Sequence, residues 1–338
     1  MMKRTAIILS LAALAAVSCE KPQDCCPGEQ DQTQQEEKAR VSMSVESGFR
    51  TKATSSSDAS VSTAAGNIQV LAFSTDGKLL AYGRNTSGSG NVSMELPLRE
   101  LEFQAVVNCP YDLSGVSTKS ALLGKTSNLK DNTPSKIQMR GSLRKTITGS
   151  TSLSIPVDRL AARVDLESIT AAFTSDAHKA MDFTVDDIFL ENVVGSCTLG
   201  GTALTGGTWY NRMKLEGGEA DHLLHDVVGR KIQTGGRATP YSTVHSFWCY
   251  PNPSADSQSG SWGARYTRLT VKATLGGTVY WYPINIPSPQ ANTLYKVTNL
   301  KITGPGSDSP DRPVTKGTVS FSITVSPWEP GFSQNVEY

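Results

Sequence analysis

Along this chain hydrophobic residues recur mainly at every second position, in short runs separated by Gly, Pro, Asn and Ser. Val41, Met43 and Val45 alternate with Ser42, Ser44 and Glu46, the period of two expected of a strand with one buried face. A Ser-, Thr- and Ala-rich connection over residues 47–66 follows, exposed to proteases and carrying Arg50 and Lys52. The apolar run from Ile68 to Phe73, the turn Thr75-Asp76-Gly77-Lys78 and the run from Leu79 to Tyr82 predict a β-hairpin. Further strands are expected over 92–98, 101–108, 152–157 and 160–166, with 122–129 a short helix or loop. The second half offers 183–190, 209–215, 244–250, 265–275, 279–286 and 295–302. The cleanest alternation sets Val319, Phe321, Ile323 and Val325 against Ser320, Ser322, Thr324 and Ser326, so one face of that segment must be covered. No long window sustains a 3.6-residue apolar period. The pattern predicts an all-β chain of two antiparallel β-sandwich domains in tandem with few short helices, the boundary falling near Asp158 between 51–157 and 158–338.

The N-terminus changes this picture from a fold to a destination. Lys3 and Arg4 precede an apolar run from Ala6 to Val17, too short to span a bilayer but suited to a signal peptide over residues 1–18. The run ends in Ala16-Val17-Ser18-Cys19, which resembles a bacterial lipobox with Cys19 acylated, although Ala16 stands where Leu is usual. A plain secretory cut near Ser18 is the alternative. Residues 20–40 are Gln/Glu-rich and nearly devoid of apolar side chains, a flexible tether, so 19–50 is a lipidated tether plus one propeptide strand.

Composition adds exclusions. With 32 Lys+Arg against 31 Asp+Glu in 338 residues there is no field to hold a polyanion, so nucleic-acid binding is not expected. Cys25 and Cys26 are adjacent in the tether and lack a metal-ligand spacing. Cys109, Cys197 and Cys249 lie in or beside apolar stretches and are read as buried thiols, with a single disulfide the alternative in an exported protein.

The C-terminal succession is Gly304-Pro305-Gly306, a loop through Pro310 and Pro313, the alternating strand, Trp328 and Gln334-Asn335-Val336-Glu337-Tyr338. Upstream come the strand before Arg50, the hairpin from Ile68, residues 103–108, Gly124-Lys125-Thr126 and residues 160–164. In this order the chain resembles the type V (Bacteroidales-type) major fimbrillins over essentially its whole length. The resemblance implies transthyretin-like sandwiches and an outer-membrane lipoprotein precursor held by lipid on Cys19. It further implies an Arg-specific protease cutting between Arg50 and Thr51, which would remove the strand of Val41, Met43 and Val45. Partners would be copies of the same chain in an adhesive filament, together with anchor and tip subunits. Losing a strand would leave an apolar trough flanked by unpaired backbone groups. A neighbour's Val319, Phe321, Ile323 and Val325 are the candidates to fill it by strand addition. Four such side chains at roughly 1.5 to 3 kcal/mol each amount to about 6 to 12 kcal/mol before ordering costs. A head-to-tail contact of this kind does not close on itself and so builds filaments.

Enzymatic chemistry finds no support. Gly124-Lys125-Thr126 resembles the end of a P-loop, but Lys119 occupies the position where the leading glycine belongs. His222 and His225, beside Asp221 and Asp226, lack a third ligand in view, and a solvated loop is the simpler expectation. No cofactor or metal is called for. The alternatives to a stalk subunit are an anchor or tip subunit, or a surface glycan- or matrix-binding lipoprotein that stacks sugars on Trp209, Trp248, Trp262, Trp281 or Tyr282.

Overall fold

A computed structural model of the chain describes residues 37–47, 67–86, 91–234, 238–255, 260–314, 317–327 and 334–336. Residues 1–18, expected to be a signal peptide, and Cys19, Cys25, Cys26, Arg50, Thr51, Lys52 and Trp328 lie outside the described residues.

The first half contributes β1 (Lys38–Ser47), β2 (Ile68–Phe73), β3 (Leu79–Asn85), β4 (Asn91–Pro97), β5 (Glu100–Val107), β6 (Thr126–Asn128), β7 (Met139–Thr146) and β8 (Thr151–Arg159). Seven of these form one sheet in the order β3-β2-β5-β7-β8-β1-β4. It folds over into two layers, because β7 and β8 pair only at Met139↔Arg159 and Arg140↔Asp158. At this corner a Cβ on Gly141 would lie 1.7 Å from the Pro156 carbonyl oxygen, so no larger residue fits. On the opposite side β3 returns against β4, where a Cβ on Gly83 would meet Val92 at 2.4 Å. Layers β3-β2-β5-β7 and β8-β1-β4 thus enclose Val41, Met43, Val70, Phe103, Ile155 and their neighbours. The β2–β3 hairpin turns where expected, with Gly77 at φ +81° donating its N–H to the Ser74 carbonyl at 2.9 Å.

The second half holds β9 (Ala162–Leu166), β10 (Ile169–Ala171), β11 (Phe183–Glu191), β12 (Val193–Val194), β13 (Ser196–Thr198), β14 (Trp209–Tyr210), β15 (His225–Ile232), β16 (His245–Cys249), β17 (Thr267–Leu275), β18 (Thr278–Ile286), β19 (Thr293–Ile302), β20 (Val319–Pro327) and β21 (Gln334–Val336). One layer runs β16-β9-β19-β20-β21, with β10 also on β19, and the other runs β15-β11-β17-β18. Short pairs β12–β14 and β13–β6 stand apart, the latter joining the two halves of the chain. The α-helices among the described residues are single turns, α1 (Lys119–Leu123), α2 (Asp176–Lys179) and α3 (Asp221–Leu224). None is long and apolar enough to cross a membrane.

The all-β architecture matches the alternation in the sequence, with differences in detail. Pairing is antiparallel except for β1 with β8, β9 with β19 and β10 with β19, which run parallel. The strand expected over 209–215 shrinks to β14, because Asn211 and Met213 take positive φ and turn the chain away. Strands β7 and β15 carry too many charged and glycine positions to show the alternation that marks the others. The loop expected around His222 and His225 is α3 running directly into β15.

Candidate functional site

The first alternating strand, β1, is not at an edge. β1 lies between β4, to which it pairs antiparallel from Lys38↔Pro97 to Ser44↔Asn91, and β8, to which it pairs parallel from Val41↔Thr151 to Ser47↔Val157. Val41 and Met43 are fully buried and Ala39 nearly so, all facing the first core, while Val45 is half-buried against its rim. The opposite face carries exposed Lys38 and Arg40 and half-buried Ser42 and Ser44. β1 is therefore the middle of a three-strand layer, and its ladders are the ones joining β4 to β8.

The second alternating segment, β20, pairs antiparallel with β19 from Thr293↔Pro327 to Ile302↔Val319, and with β21 on its other side. Ile323 is buried, whereas Val319, Phe321 and Val325 are half-buried against the second core. Val319, Phe321 and Ile323, with Val314, Pro283 and Pro287, line an open apolar hollow of about 400 Å³. β20 is thus less completely buried than the central part of β1.

The loop leading into β20 is fastened by charge. Both carboxylate oxygens of Asp311 accept hydrogen bonds, Oδ2 from Arg265 Nη1 and Oδ1 from Arg268 Nη1, each at 2.5 Å. Both arginines are almost wholly buried and stand in or beside β17, and Arg268 Nε also donates to Asn285 Oδ1 at 2.9 Å. Upstream in the same loop, Ser307 and Trp281 exchange backbone hydrogen bonds at 2.8 and 3.0 Å. A Cβ on Gly306 would come within 2.4 Å of the Trp281 carbonyl oxygen, so the loop lies flat on β18. The only local trace of this anchor in the sequence is the pair Arg265 and Arg268 at the start of the apolar strand β17.

No family model matches the chain, and no curated protein matches it. Solved structures do. A putative cell adhesion protein from Bacteroides eggerthii aligns at TM-score 0.61 and 18% identity over 86% of this chain and 96% of that one. A fimbrilin from Porphyromonas gingivalis aligns at TM-score 0.61 and 16% identity over 86% and 97%. A putative cell adhesion protein from Parabacteroides distasonis gives 0.58 and 18% over 86% and 99%. The chain shares the fold of fimbrillins. The sequence resemblance to the type V fimbrillins and this likeness of fold thus agree, and the likeness extends through both sandwiches.

The remaining candidates resolve into structural roles. Gly124 caps the end of α1 and Thr126 opens β6, so Gly124-Lys125-Thr126 follows a helix where a P-loop would precede one. His222 bonds the Asn132 carbonyl oxygen at 2.8 Å, away from His225. His225 lies between Asp187 at 3.0 Å and Asp221 at 3.2 Å, and Lys272 also bonds Asp187 at 2.9 Å. Burial opposes the charge on His225, but hydrogen bonds to the two carboxylates outweigh it and raise its pKa. Among the described residues no cluster of three or more His, Cys, Asp or Glu is arranged to hold a metal. Cys109, Cys197 and Cys249 are buried free thiols. Of the five aromatics considered for sugar stacking, Trp209, Trp248 and Tyr282 are buried, Trp281 is half-buried, and Trp262 alone is exposed. Trp262 packs edge-on against Trp209, with the Arg212 and Arg265 guanidinium groups near its ring at 5.9 and 5.7 Å.

Proposed function

We propose that this chain is a structural stalk subunit of a cell-surface fimbrium of the type V fimbrillin family, polymerising by strand exchange. It is exported as an outer-membrane lipoprotein on Cys19 and cut between Arg50 and Thr51 by an Arg-specific protease. The cut chain keeps a first sandwich of 51–157 and a second of 158–338, loses β1, and receives residues Val319, Phe321, Ile323 and Val325 of another copy. Fimbrial and cell adhesion proteins of Bacteroidales with the same fold support the setting.

The observation that carries the reading is the position of β1 as the middle strand of its layer. A strand removed from an edge leaves one unpaired row of backbone groups, but a strand removed from the middle leaves two. Here those rows are on β4 and β8, each currently paired to β1 at seven positions. The same loss uncovers the seats of Ala39, Val41 and Met43. Only another strand satisfies both rows and the apolar trough together. β20 has the required alternation, and moving a half-buried residue such as Phe321 into a seat like that of Val41 or Met43 would increase its burial.

The test is N-terminal sequencing of protein sheared from the cell surface, alongside its size ladder on unboiled gels. The expected chain begins at Thr51 and forms a ladder. A surface protein that retains acylated Cys19 and runs only as a monomer would overturn the stalk role in favour of an anchor or cell-bound binding protein.

A further inference from the structure

Trp262 is presented to solvent on a turn that the interior holds rigid. It stands between Ser261 and Gly263, a few residues before β17, and is 39% exposed. Arg265, fully buried, reaches back to this turn. It donates from Nη2 to the Ser261 carbonyl oxygen at 2.6 Å and from Nε to the Gly263 carbonyl oxygen at 3.0 Å, while Asp311 holds its Nη1. The carbonyls on both sides of the indole are thus tied to one buried guanidinium. Trp209 packs edge-on against Trp262 with ring centroids 5.3 Å apart, and its own Nε1 donates to the Thr205 carbonyl oxygen at 2.8 Å. An aromatic side chain fixed before any ligand arrives loses little freedom on binding, which raises its worth as a contact.

A second fixed group stands at the ring. Arg212 Cζ lies 5.9 Å from the ring centroid, and the Arg212 side chain is 51% exposed. Glu216 accepts from the Arg212 backbone N–H at 3.0 Å and from its Nη2 at 3.3 Å. Buried Asn211 fastens the same turn, donating to the Leu190 carbonyl oxygen at 2.8 Å and accepting from the Glu216 N–H at 3.0 Å. Glu216 thus engages one edge of the guanidinium fork, and exposed Lys214 adds a second positive charge to the turn. The residues flanking the two tryptophans are small, with Gly206, Gly207 and Thr208 on one loop and Gly260, Ser261 and Gly263 on the other. A Cβ on Gly206, Gly260 or Gly263 would meet nothing within 4 Å.

We propose that Trp262 and Arg212 form a contact site for a carboxylated oligosaccharide, the C–H face of one sugar ring resting on the exposed part of the indole and its carboxylate pairing with the guanidinium. The surroundings favour a sugar over a protein partner. Protein hot spots sit inside a broader patch that excludes water, whereas none of the other exposed large apolar side chains among the described residues belongs to 205–217 or 260–266. A sugar ring presents a small C–H face rimmed by hydroxyls, which one indole among Gly, Ser and Thr satisfies. The excess of Arg212 and Lys214 over Glu216 selects an acidic sugar, since a planar guanidinium matches a carboxylate. The site stands whether or not subunits exchange strands.

The test is biolayer interferometry of the full chain on immobilised sialyllactose, trigalacturonate and a hyaluronan tetrasaccharide, with lactose and cellotetraose as neutral controls. The parent is expected to bind carboxylated sugars in preference to neutral ones. Trp262→Ala is expected to weaken binding of the carboxylated sugars by roughly tenfold or more, and Trp262→Phe by less. Arg212→Gln is expected to bring the carboxylated sugars down to the level of the neutral ones with no change in melting temperature, and so reads the site even where Trp262→Ala loosens its turn. A parent that holds none of the three acidic sugars, or that holds them as well after Arg212→Gln and Trp262→Phe as after neither, overturns the proposal. Loss of self-association in Trp262→Ala, in a protein that binds no sugar, would make the indole a contact between copies instead.

Discussion

The most unusual residues energetically are the buried charges around Asp311. Arg265 and Arg268 bring two positive charges to one carboxylate, and Glu191 is buried beside them with Oε1 accepting from Thr270 Oγ1 at 2.9 Å. Burial pushes Glu191 up to about 8, with the nearby Asp311 charge adding to the shift and the arginines opposing it. Its folded pKa exceeds its ordinary value, so the folded state holds this proton more tightly than the unfolded chain. Its contribution is most favourable at pH values below the ordinary carboxylate range and is lost as the pH rises through about 8. Glu191→Gln keeps the shape and the acceptor for Thr270 without the titration. The variant is expected to match the parent in Tm at pH 5 and to melt several degrees higher at pH 9. Equal differences at both pH values would show that Glu191 does not titrate as its burial requires.

Among the elements, β1 and β20 carry the same alternation but are held differently. β1 has neighbours on both sides and fully buried Val41 and Met43, whereas β20 has only Ile323 buried among its four large apolar residues. A synthetic peptide of residues 319–327 is expected to bind protein that lacks β1 and to stop its ladder from growing, while leaving intact precursor unbound. Replacing Ile323 by Asp in the peptide is expected to weaken binding by roughly tenfold to a hundredfold, the equivalent of one large aliphatic side chain. Equal binding of both peptides, followed by fluorescence anisotropy, would exclude this face as the one inserted. Both strands were legible in the sequence because each has one covered face and so a period of two. The central position of β1 was not, since its parallel partner β8 lies more than a hundred residues away and leaves no local trace. The polar patterns of β7 and β15 hid those strands, and nothing local ties Asp311 to Arg265 and Arg268.

On the scale of the whole molecule, the two sandwiches are not independent bodies joined by a linker. β2 and β5 send Val70, Ala72, Phe103 and Ala105 into the first core, but their other faces place Leu71, Phe73 and Val106 in the same continuous cluster as the second core. Leu113, Val116, Leu122 and Leu129, from the connection between β5 and β7, cover this outer face, and the β6–β13 ladder pins that connection to the second half. The arrangement bears on the proposed loss of β1. The first core then surrenders Ala39, Val41 and Met43, while the outer cluster loses nothing and can hold β2 and β5 in place until a new strand arrives. Phe73→Ala should accordingly cost about 3–5 kcal/mol in the intact chain, as for other buried Phe truncations, and shift a single cooperative melt. In the chain lacking β1 the same substitution should remove the native near-ultraviolet signal of the first sandwich and its capacity to bind the 319–327 peptide. A melt in two steps, with Phe73→Ala moving only one, would mean that the shared cluster does not couple the halves and that the open groove is supported by the first sandwich alone.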